Sequence, residues 1–127
     1  MARNPSSNLT DAELRLMEVV WRKGSATVAD VVEGLPSDVS LAYSTVITTL
    51  RILESKGYLK HVKEGRAFVY RPLVDRKAAT QNAVTHLLRR FFEGSPEQLM
   101  LSLLEDKKIS RKDLARLRDR IQKKDDS

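Results

Sequence analysis

Apolar residues recur with helical spacing along most of this chain. Between residues 41 and 56, Val46, Leu50 and Leu53 recur at i, i+4 and i+7, which predicts an amphipathic helix with one buried stripe. Gly57 follows directly and is well placed as a C-terminal cap, because glycine adopts the left-handed conformation at little cost. The opposite side of this helix is polar and is therefore expected to be exposed.

The hydrophobic period changes to two immediately after this helix. Residues 58–63 and 66–71 alternate and are rich in β-forming residues, and Glu64-Gly65 lies between them. A two-residue connection that ends in glycine favours a tight β-hairpin, which predicts two short antiparallel strands. Pro72 is expected to end the second strand.

Two shorter helices are predicted before residue 41. Thr10, with Glu13 three residues later, forms a capping box for the first helix, and Thr27 is the N-cap of the second. The side chains expected to face the core are Leu14, Met17, Val20, Trp21, Val28, Val31, Val32 and Leu35. Three helices followed by a hairpin predict a winged helix-turn-helix domain over residues 1–74.

Residues 75–127 return to helical spacing and predict three further helices. They amount to about 50 residues, which is near the lower size limit for a stable independent domain. A second copy of the chain is the simplest partner for their apolar faces, and packing against the first domain is the alternative. The residues expected to form a dimer interface are Leu88, Phe91, Leu99, Leu103, Leu117 and Ile121. The predicted fold class is mainly α with a small β-hairpin: a winged helix-turn-helix domain followed by a helical dimerisation domain.

The net charge of +6 is unevenly distributed along the chain. Residues 9–50 carry three basic and six acidic side chains, whereas residues 51–71 carry six basic and two acidic ones. The positive excess therefore lies where the amphipathic helix and the hairpin meet, as binding to a polyanion requires. Charge alone favours an ordinary solvated surface, but its position on a helix followed by a hairpin favours double-stranded DNA.

The polar face of this helix is unusually rich in hydroxyl groups. Ser44, Thr45, Thr48 and Thr49 lie close together, although Ser and Thr are weaker helix formers than Glu, Lys, Gln or Ala. Hydroxyl groups can contact bases or phosphates, and a threonine methyl group can pack on a thymine methyl group. The residues expected to read bases are Tyr43, Ser44, Thr45 and Thr48, and those expected to hold phosphates or form the wing are Arg51, Lys63 and Arg66.

Other classes of protein find little support in the sequence. It contains no HExxH motif, glycine-rich phosphate loop or nucleophile elbow, so neither enzymatic activity nor a cofactor is expected. Because there is no cysteine, there is no thiolate metal site. No apolar run approaches the roughly 18 residues of a membrane span, so no membrane insertion is expected. The N-terminus lacks the apolar core of a signal peptide, and together these features favour a cytoplasmic protein.

A rival interpretation is a winged helix that docks on another protein and binds no DNA. Such a module would expose apolar residues on the helix over 41–56, and Ile52 lies near the exposed arc. His61 on the hairpin is also open to two interpretations, a phosphate contact or a structural residue. Residues 1–8 are polar and are expected to be frayed, and the polar C-terminal KKDDS is expected to be disordered.

Several stretches together resemble the penicillinase-repressor family (BlaI/MecI/CopY type). They are the opening LTDAELRLMEVVW, the run STVITTL with the later ILESKGYLKHVKEGRAFVYRPLV, and the C-terminal PEQLMLSLLEDKKISRKDLARLRDRI. The resemblance covers roughly residues 9–122. It implies a homodimeric transcriptional repressor bound to an inverted-repeat DNA operator. Such repressors often control β-lactamase or related resistance genes beside a membrane sensor-protease.

In that branch of the family, the resemblance also implies induction by cleavage within the dimerisation domain. The matching position here is Ser102-Leu103, where the staphylococcal members carry Asn-Phe, so this sequence departs from their pattern. The copper-responsive branch uses C-terminal cysteine pairs, which this sequence lacks. The resemblance therefore does not extend to copper sensing by that route.

Overall fold

Six helices and three short strands make up residues 9–125, the part of the chain that this computed structural model describes. The helices are α1 (Asp11–Lys23), α2 (Val28–Gly34), α3 (Tyr43–Ser55), α4 (Arg76–Phe91), α5 (Pro96–Glu105) and α6 (Arg111–Asp125). The strands are β1 (Ala26–Thr27), β2 (Leu59–Glu64) and β3 (Ala67–Pro72), which form one antiparallel sheet in the order β1-β3-β2. The predicted fold class is confirmed, with one strand more than the predicted hairpin.

Helix α1 begins at the predicted capping box. The Thr10 hydroxyl accepts a hydrogen bond from the Glu13 N–H at 3.1 Å, and the Glu13 carboxylate accepts one from the Thr10 N–H at 2.7 Å. The same buried carboxylate accepts a hydrogen bond from Lys56 Nζ at 2.7 Å. Burial alone would raise the pKa of Glu13, but the hydrogen bonds from Lys56 and Thr10 outweigh it and hold the pKa below its ordinary value. Because Lys56 follows the last residue of α3, this ion pair ties the start of α1 to the end of α3.

The buried face of α1 differs from the predicted one at Leu14. Leu16, Met17, Val19 and Val20 are buried, whereas Leu14 is 39% exposed. The spacing of Leu14 to Met17 fits a helical period, but at 100° per residue Leu14 lies about 140° from the centre of the face that the four buried residues define. The prediction that Leu14 lies in the core is therefore wrong.

The turn of the hairpin is shifted by one residue from its predicted position. Glu64 pairs with Ala67, so the two turn residues are Gly65 and Arg66, whereas the sequence predicts Glu64-Gly65. Gly65 has a φ of +63°, and glycine with positive φ at the first central position is what a type II′ turn requires. Arg66 therefore lies in the turn itself rather than at the first position of the second strand.

A third strand joins the base of the hairpin. The two residues of β1, Ala26 and Thr27, pair with Tyr70 and Val69 of β3. From Val69 toward the turn, β2 and β3 continue as a two-stranded ribbon. A strand of two residues has no alternation to detect, so the sequence pattern does not predict it. Thr27 also caps α2 as predicted, through a capping box with Asp30.

By its internal contacts the chain divides into two compact units, one up to His86 and one from Leu87 onward. The predicted domain boundary after residue 74 stays a prediction, but the first turns of α4 pack in the first unit, since Ala79 is buried there. Trp21 Nε1 donates a hydrogen bond to the Val74 carbonyl at 2.8 Å and holds the segment before α4. The core of this unit consists of Leu16, Met17, Val20, Ala26, Val31, Val46, Leu50, Leu53, Tyr58, Leu59, Tyr70, Val74 and Ala79.

The second unit is held by well-capped helices but has little interior. Ser95 Oγ accepts a hydrogen bond from the Gln98 N–H at 3.2 Å at the start of α5, as the sequence predicts. Ser110 Oγ accepts one from the Asp113 N–H at 3.1 Å at the start of α6. Neither α5 nor α6 contains a buried residue. Caps of this kind contribute about 1 kcal/mol each, so local hydrogen bonds rather than a core define these helices.

The C-terminal helix is longer than the sequence suggests. Helix α6 continues to Asp125, so the prediction of a disordered tail is wrong for residues 123–125. Lys123 and Lys124 lie in its last turn, where positive charge interacts favourably with the helix dipole. Residues 1–8, which are predicted to be frayed, and residues 126–127 of the predicted tail lie outside the described part. No helix within residues 9–125 has the length and apolar character needed to cross a membrane.

Candidate nucleic-acid interface

Helix α3 has one buried and one exposed side, as its sequence pattern predicts. Val46, Leu50 and Leu53 are fully buried. The exposed side chains include all the predicted readers, namely Tyr43, Ser44, Thr45 and Thr48, together with Arg51. The helix begins after Ala42 without a side-chain cap, so no side chain covers its first N–H groups. The predicted reading residues therefore lie at the open N-terminal end of one helix.

Two threonine hydroxyls of α3 donate to the backbone of their own helix. Thr48 Oγ1 donates to the Ser44 carbonyl at 3.0 Å, and Thr49 Oγ1 donates to the Thr45 carbonyl at 2.7 Å. Thr49 is buried, whereas Thr48 is exposed. A hydroxyl has one proton and two lone pairs, so Thr48 keeps acceptor capacity for an outside partner but no free proton.

The register of the hairpin divides its cations between two faces. Residues two apart in a strand share a face, so Lys63 lies on the same face as His61. Lys60 and Arg71 are cross-strand partners on the other face. There Arg71 Nη2 forms an ion pair with Glu64 at 3.0 Å. The positive charges of the hairpin are thus not equivalent, and Lys63 is the strand cation on the face that carries His61.

Four cations around α3 and the hairpin have no acidic partner within residues 9–125: Lys60, on the face of β2 that carries Arg71, and the three residues predicted to hold phosphates. Arg51 lies on the exposed side of α3, Lys63 on the His61 face of β2, and Arg66 in the turn. All three are exposed, and none forms an ion pair within residues 9–125. Unpaired guanidinium and ammonium groups on an open surface suit phosphate oxygens as partners.

A groove of about 650 Å³ lies between α3 and the hairpin. Its lining residues are Tyr43, Ile47, Arg51 and Glu54 of α3, His61, Arg66, Ala67, Phe68 and Tyr70 of the hairpin, and Thr27, Val28 and Ala29 at the start of α2. Arg51 and Arg66 therefore bring positive charge to the same groove from two different elements. Burial, reinforced by the Glu54 carboxylate, raises the pKa of the Tyr70 hydroxyl, so this group stays uncharged at neutral pH.

A polar contact between Glu54 and His61 joins the two walls of the groove. The Glu54 carboxylate accepts a hydrogen bond from the His61 backbone N–H at 3.3 Å, and each of its oxygens lies 2.7 Å from His61 Nδ1. The His61 ring also meets Phe68 edge-on, with 4.9 Å between the ring centroids. These contacts favour the structural interpretation of His61. The sequence does not predict the pair, because no local pattern connects a helix residue with a strand residue.

The predicted residues of the second unit are incompletely covered. Leu88, Leu99 and Leu103 are half-buried, whereas Phe91, Leu117 and Ile121 are exposed. Leu101, which is not among the residues predicted for the interface, is 50% exposed. Ser102 is exposed on α5, and its carbonyl accepts the hydrogen bond of the Asp106 N–H at 3.0 Å. In the described part of the chain, no three His, Cys, Asp or Glu side chains are grouped to hold a metal ion.

Comparison with known proteins places this fold and surface in a family. A family model described as penicillinase repressor matches residues 9–123. A penicillinase repressor of Bacillus licheniformis is 33% identical over 109 residues, which cover 86% of this chain and 85% of that protein. The methicillin resistance regulatory protein MecI of Staphylococcus aureus (strain N315) is 22% identical over 121 residues, which cover 95% of this chain and 98% of that protein.

Solved structures agree with the sequence comparison. The solution structure of the DNA-binding domain of the repressor BlaI is similar with a TM-score of 0.52 and 37% identity, over 61% of this chain and 93% of that one. The monomeric form of Bacillus licheniformis BlaI, in complex with the blaP half-operator, is similar with a TM-score of 0.50, the same identity and the same coverage. This chain therefore belongs to the penicillinase repressor family of winged-helix, DNA-binding repressors.

Proposed function

We propose that this repressor places the N-terminal half of α3 in the major groove of its operator and lays the hairpin along the adjacent phosphate backbone. Tyr43, Ser44, Thr45 and Thr48 then read bases, and Arg51, Lys63 and Arg66 hold phosphates. The observation that carries this proposal is that a hydroxyl-rich exposed helix face adjoins a groove bordered by cations without acidic partners. Base-edge contacts supply sequence information, and phosphate contacts supply position and most of the affinity.

The groove suits one sugar–phosphate strand between its two walls. Arg51 lies on the helix wall and Arg66 on the hairpin wall, so a strand between them meets positive charge on both sides. The half-operator complex of the BlaI relative, at 37% identity, supports DNA as the occupant. The rival function, docking on another protein, is favoured on the surface of α3 by Tyr43 and Ile52, which are 55% and 43% exposed. Single exposed apolar residues are common on ordinary protein surfaces.

The repressor is proposed to act as a homodimer on an inverted repeat. The second unit exposes Phe91, Leu101, Leu117 and Ile121, and a second copy of the unit is the simplest partner for this apolar surface. A twofold dimer presents two copies of α3 to two half-sites of opposite direction, typically about 34–36 Å apart. The proposed operator is therefore an inverted repeat with one helical turn, or a multiple of it, between half-site centres.

The repressor is proposed to act in the cytoplasm and to be controlled by a membrane sensor-protease. Its proposed targets are β-lactamase-type resistance genes. Two relatives named for penicillinase and methicillin resistance support this assignment. The proposed cleavage position, Ser102-Leu103, lies inside α5 rather than in a loop. Since proteases bind extended backbone, cleavage there requires α5 to open locally, which an α5 without buried residues permits at low cost.

Footprinting on the region upstream of the repressor's own gene tests the proposal. The expected result is protection of two inversely related half-sites. Thr48→Ala should reduce discrimination between this site and random DNA by about 1–3 kcal/mol, the value of one good base contact. Arg66→Ala should instead weaken binding to both DNAs equally. Equal losses on both DNAs for both variants would show that α3 does not read sequence.

A further inference from the structure

The contact between Glu54 and His61 lies where the hairpin leaves the body of the first unit. β1 pairs with β3 only as far as Val69, which is the cross-strand partner of Val62. His61, the partner of Tyr70, lies one residue before this last three-stranded level, and the ribbon beyond Val62 has two strands only. A two-stranded ribbon is marginally stable by itself and twists readily. The position of its tip depends on how its base is held.

The distance from this base to the tip makes small movements important. Arg66 lies five residues beyond His61, which corresponds to roughly 13–17 Å of strand and turn. A tilt of the ribbon by 10° at His61 would shift such a tip by about 2–3 Å. N–H···O distances span only about 2.7–3.2 Å, so a shift of that size would break a phosphate contact made by Arg66.

We propose that Glu54 and His61 are a positioning pair, which fixes the angle of the wing relative to α3 so that Arg66 and the reading face of α3 engage one DNA duplex together. This inference rests on the proposed wing contact. The carboxylate holds both the backbone N–H and the ring of His61, which restrains the strand itself as well as the side chain. The ring in turn packs against Phe68 and Tyr70, with 4.9 and 5.8 Å between centroids, so β3 is restrained with β2.

The affinity loss of a single Glu54 variant would be ambiguous, because removing a negative charge near DNA strengthens attraction to phosphates. A double-mutant cycle avoids this ambiguity. It measures the effect of Arg66→Ala on operator affinity, by fluorescence anisotropy on the footprinted duplex, in the natural protein and in two Glu54 variants. Glu54→Ala and Glu54→Gln remove the same charge, but only Gln keeps an oxygen that can accept the hydrogen bonds of His61.

In the natural protein, Arg66→Ala is expected to weaken binding about tenfold or more, as loss of a charged hydrogen bond does. In the Glu54→Gln background, most of this loss should remain. In the Glu54→Ala background, it should fall below about threefold, because a wing that is free to tilt no longer delivers Arg66 to the phosphate. A pair that only stabilised the fold would leave the effect of Arg66→Ala unchanged.

A second route protects the test against a variant that fails to fold. His61→Ala removes the ring, which is partly exposed, and should reduce the effect of Arg66→Ala as Glu54→Ala does. If Arg66→Ala weakens binding equally in all backgrounds, the wing contact exists but this pair does not position it, and the inference is overturned. If Arg66→Ala has no effect even in the natural protein, the wing contact itself is absent and the proposed function loses that part as well.

Discussion

The salt dependence of operator binding follows from the number of unpaired cations that are proposed to hold phosphates. Arg51, Lys63 and Arg66 have no ion pair within the described residues, and as the proposed phosphate contacts they give three per protomer and six per dimer. Lys60 is also unpaired but lies on the opposite face of β2 from Lys63, so it is not counted. The logarithm of affinity then falls with the logarithm of salt concentration with a slope of about −5.4. Between 50 and 200 mM salt, the affinity should drop about 2 × 10³-fold.

Arg66→Ala removes two of these contacts from the dimer and should reduce the slope to about −3.6, or about 150-fold over the same range. Arg15→Ala is the matched control, since it removes the same exposed charge from α1 and should leave the slope unchanged. Both slopes can be measured by anisotropy titrations of the footprinted duplex at several salt concentrations. A wild-type slope shallower than about −3, or equal slopes for all three proteins, would refute the assignment of these cations to phosphates.

Three further predictions concern assembly and stability. Ile121→Asp changes an exposed residue, so each chain should stay folded while the dimer dissociates and operator affinity falls. Sedimentation would measure the dimer and gel shifts the operator affinity, and an unchanged dimer would contradict the prediction. Leu16→Ala should destabilise the protein by about 2–5 kcal/mol and Leu14→Ala by less than about 1 kcal/mol in urea unfolding, because only Leu16 is fully buried. The lowered pKa of Glu13 stabilises the fold fully above its ordinary value of 4.5, and this contribution is lost as pH falls through the folded pKa. Glu13→Gln should therefore flatten the acid limb of a stability–pH profile.

Local signals account for most of what the sequence predicts correctly. The Thr10 and Thr27 capping boxes, the Ser95 cap and the period of α3 each depend on residues within one or two turns. Such patterns can be read directly, because the hydrogen bonds they describe join neighbours in the chain. The exposure of the predicted residues on α3 follows from the same periodicity.

The features that escape prediction all depend on contacts between distant segments. Leu14 has the right spacing for a buried stripe, but the sheet and the other helices determine which face of α1 is covered. Strand β1 exists because β3 offers it an edge. Glu54 resembles an ordinary solvated acid in the sequence, and only the fold brings it to His61. The one-residue error in the turn has the same cause, because the pairing of β2 with β3 decides whether Arg66 starts the second strand or lies in the turn.

The hydrogen bond from Thr48 to the Ser44 carbonyl also bears on the composition of the operator. With its proton committed, Thr48 is complementary in the major groove to groups that donate, namely the amino groups of adenine and cytosine. Guanine presents only acceptors there, so Thr48 cannot donate to it while its proton is held by the Ser44 carbonyl. In a half-site that fits this helix, the base that faces the Thr48 hydroxyl should therefore be adenine or cytosine.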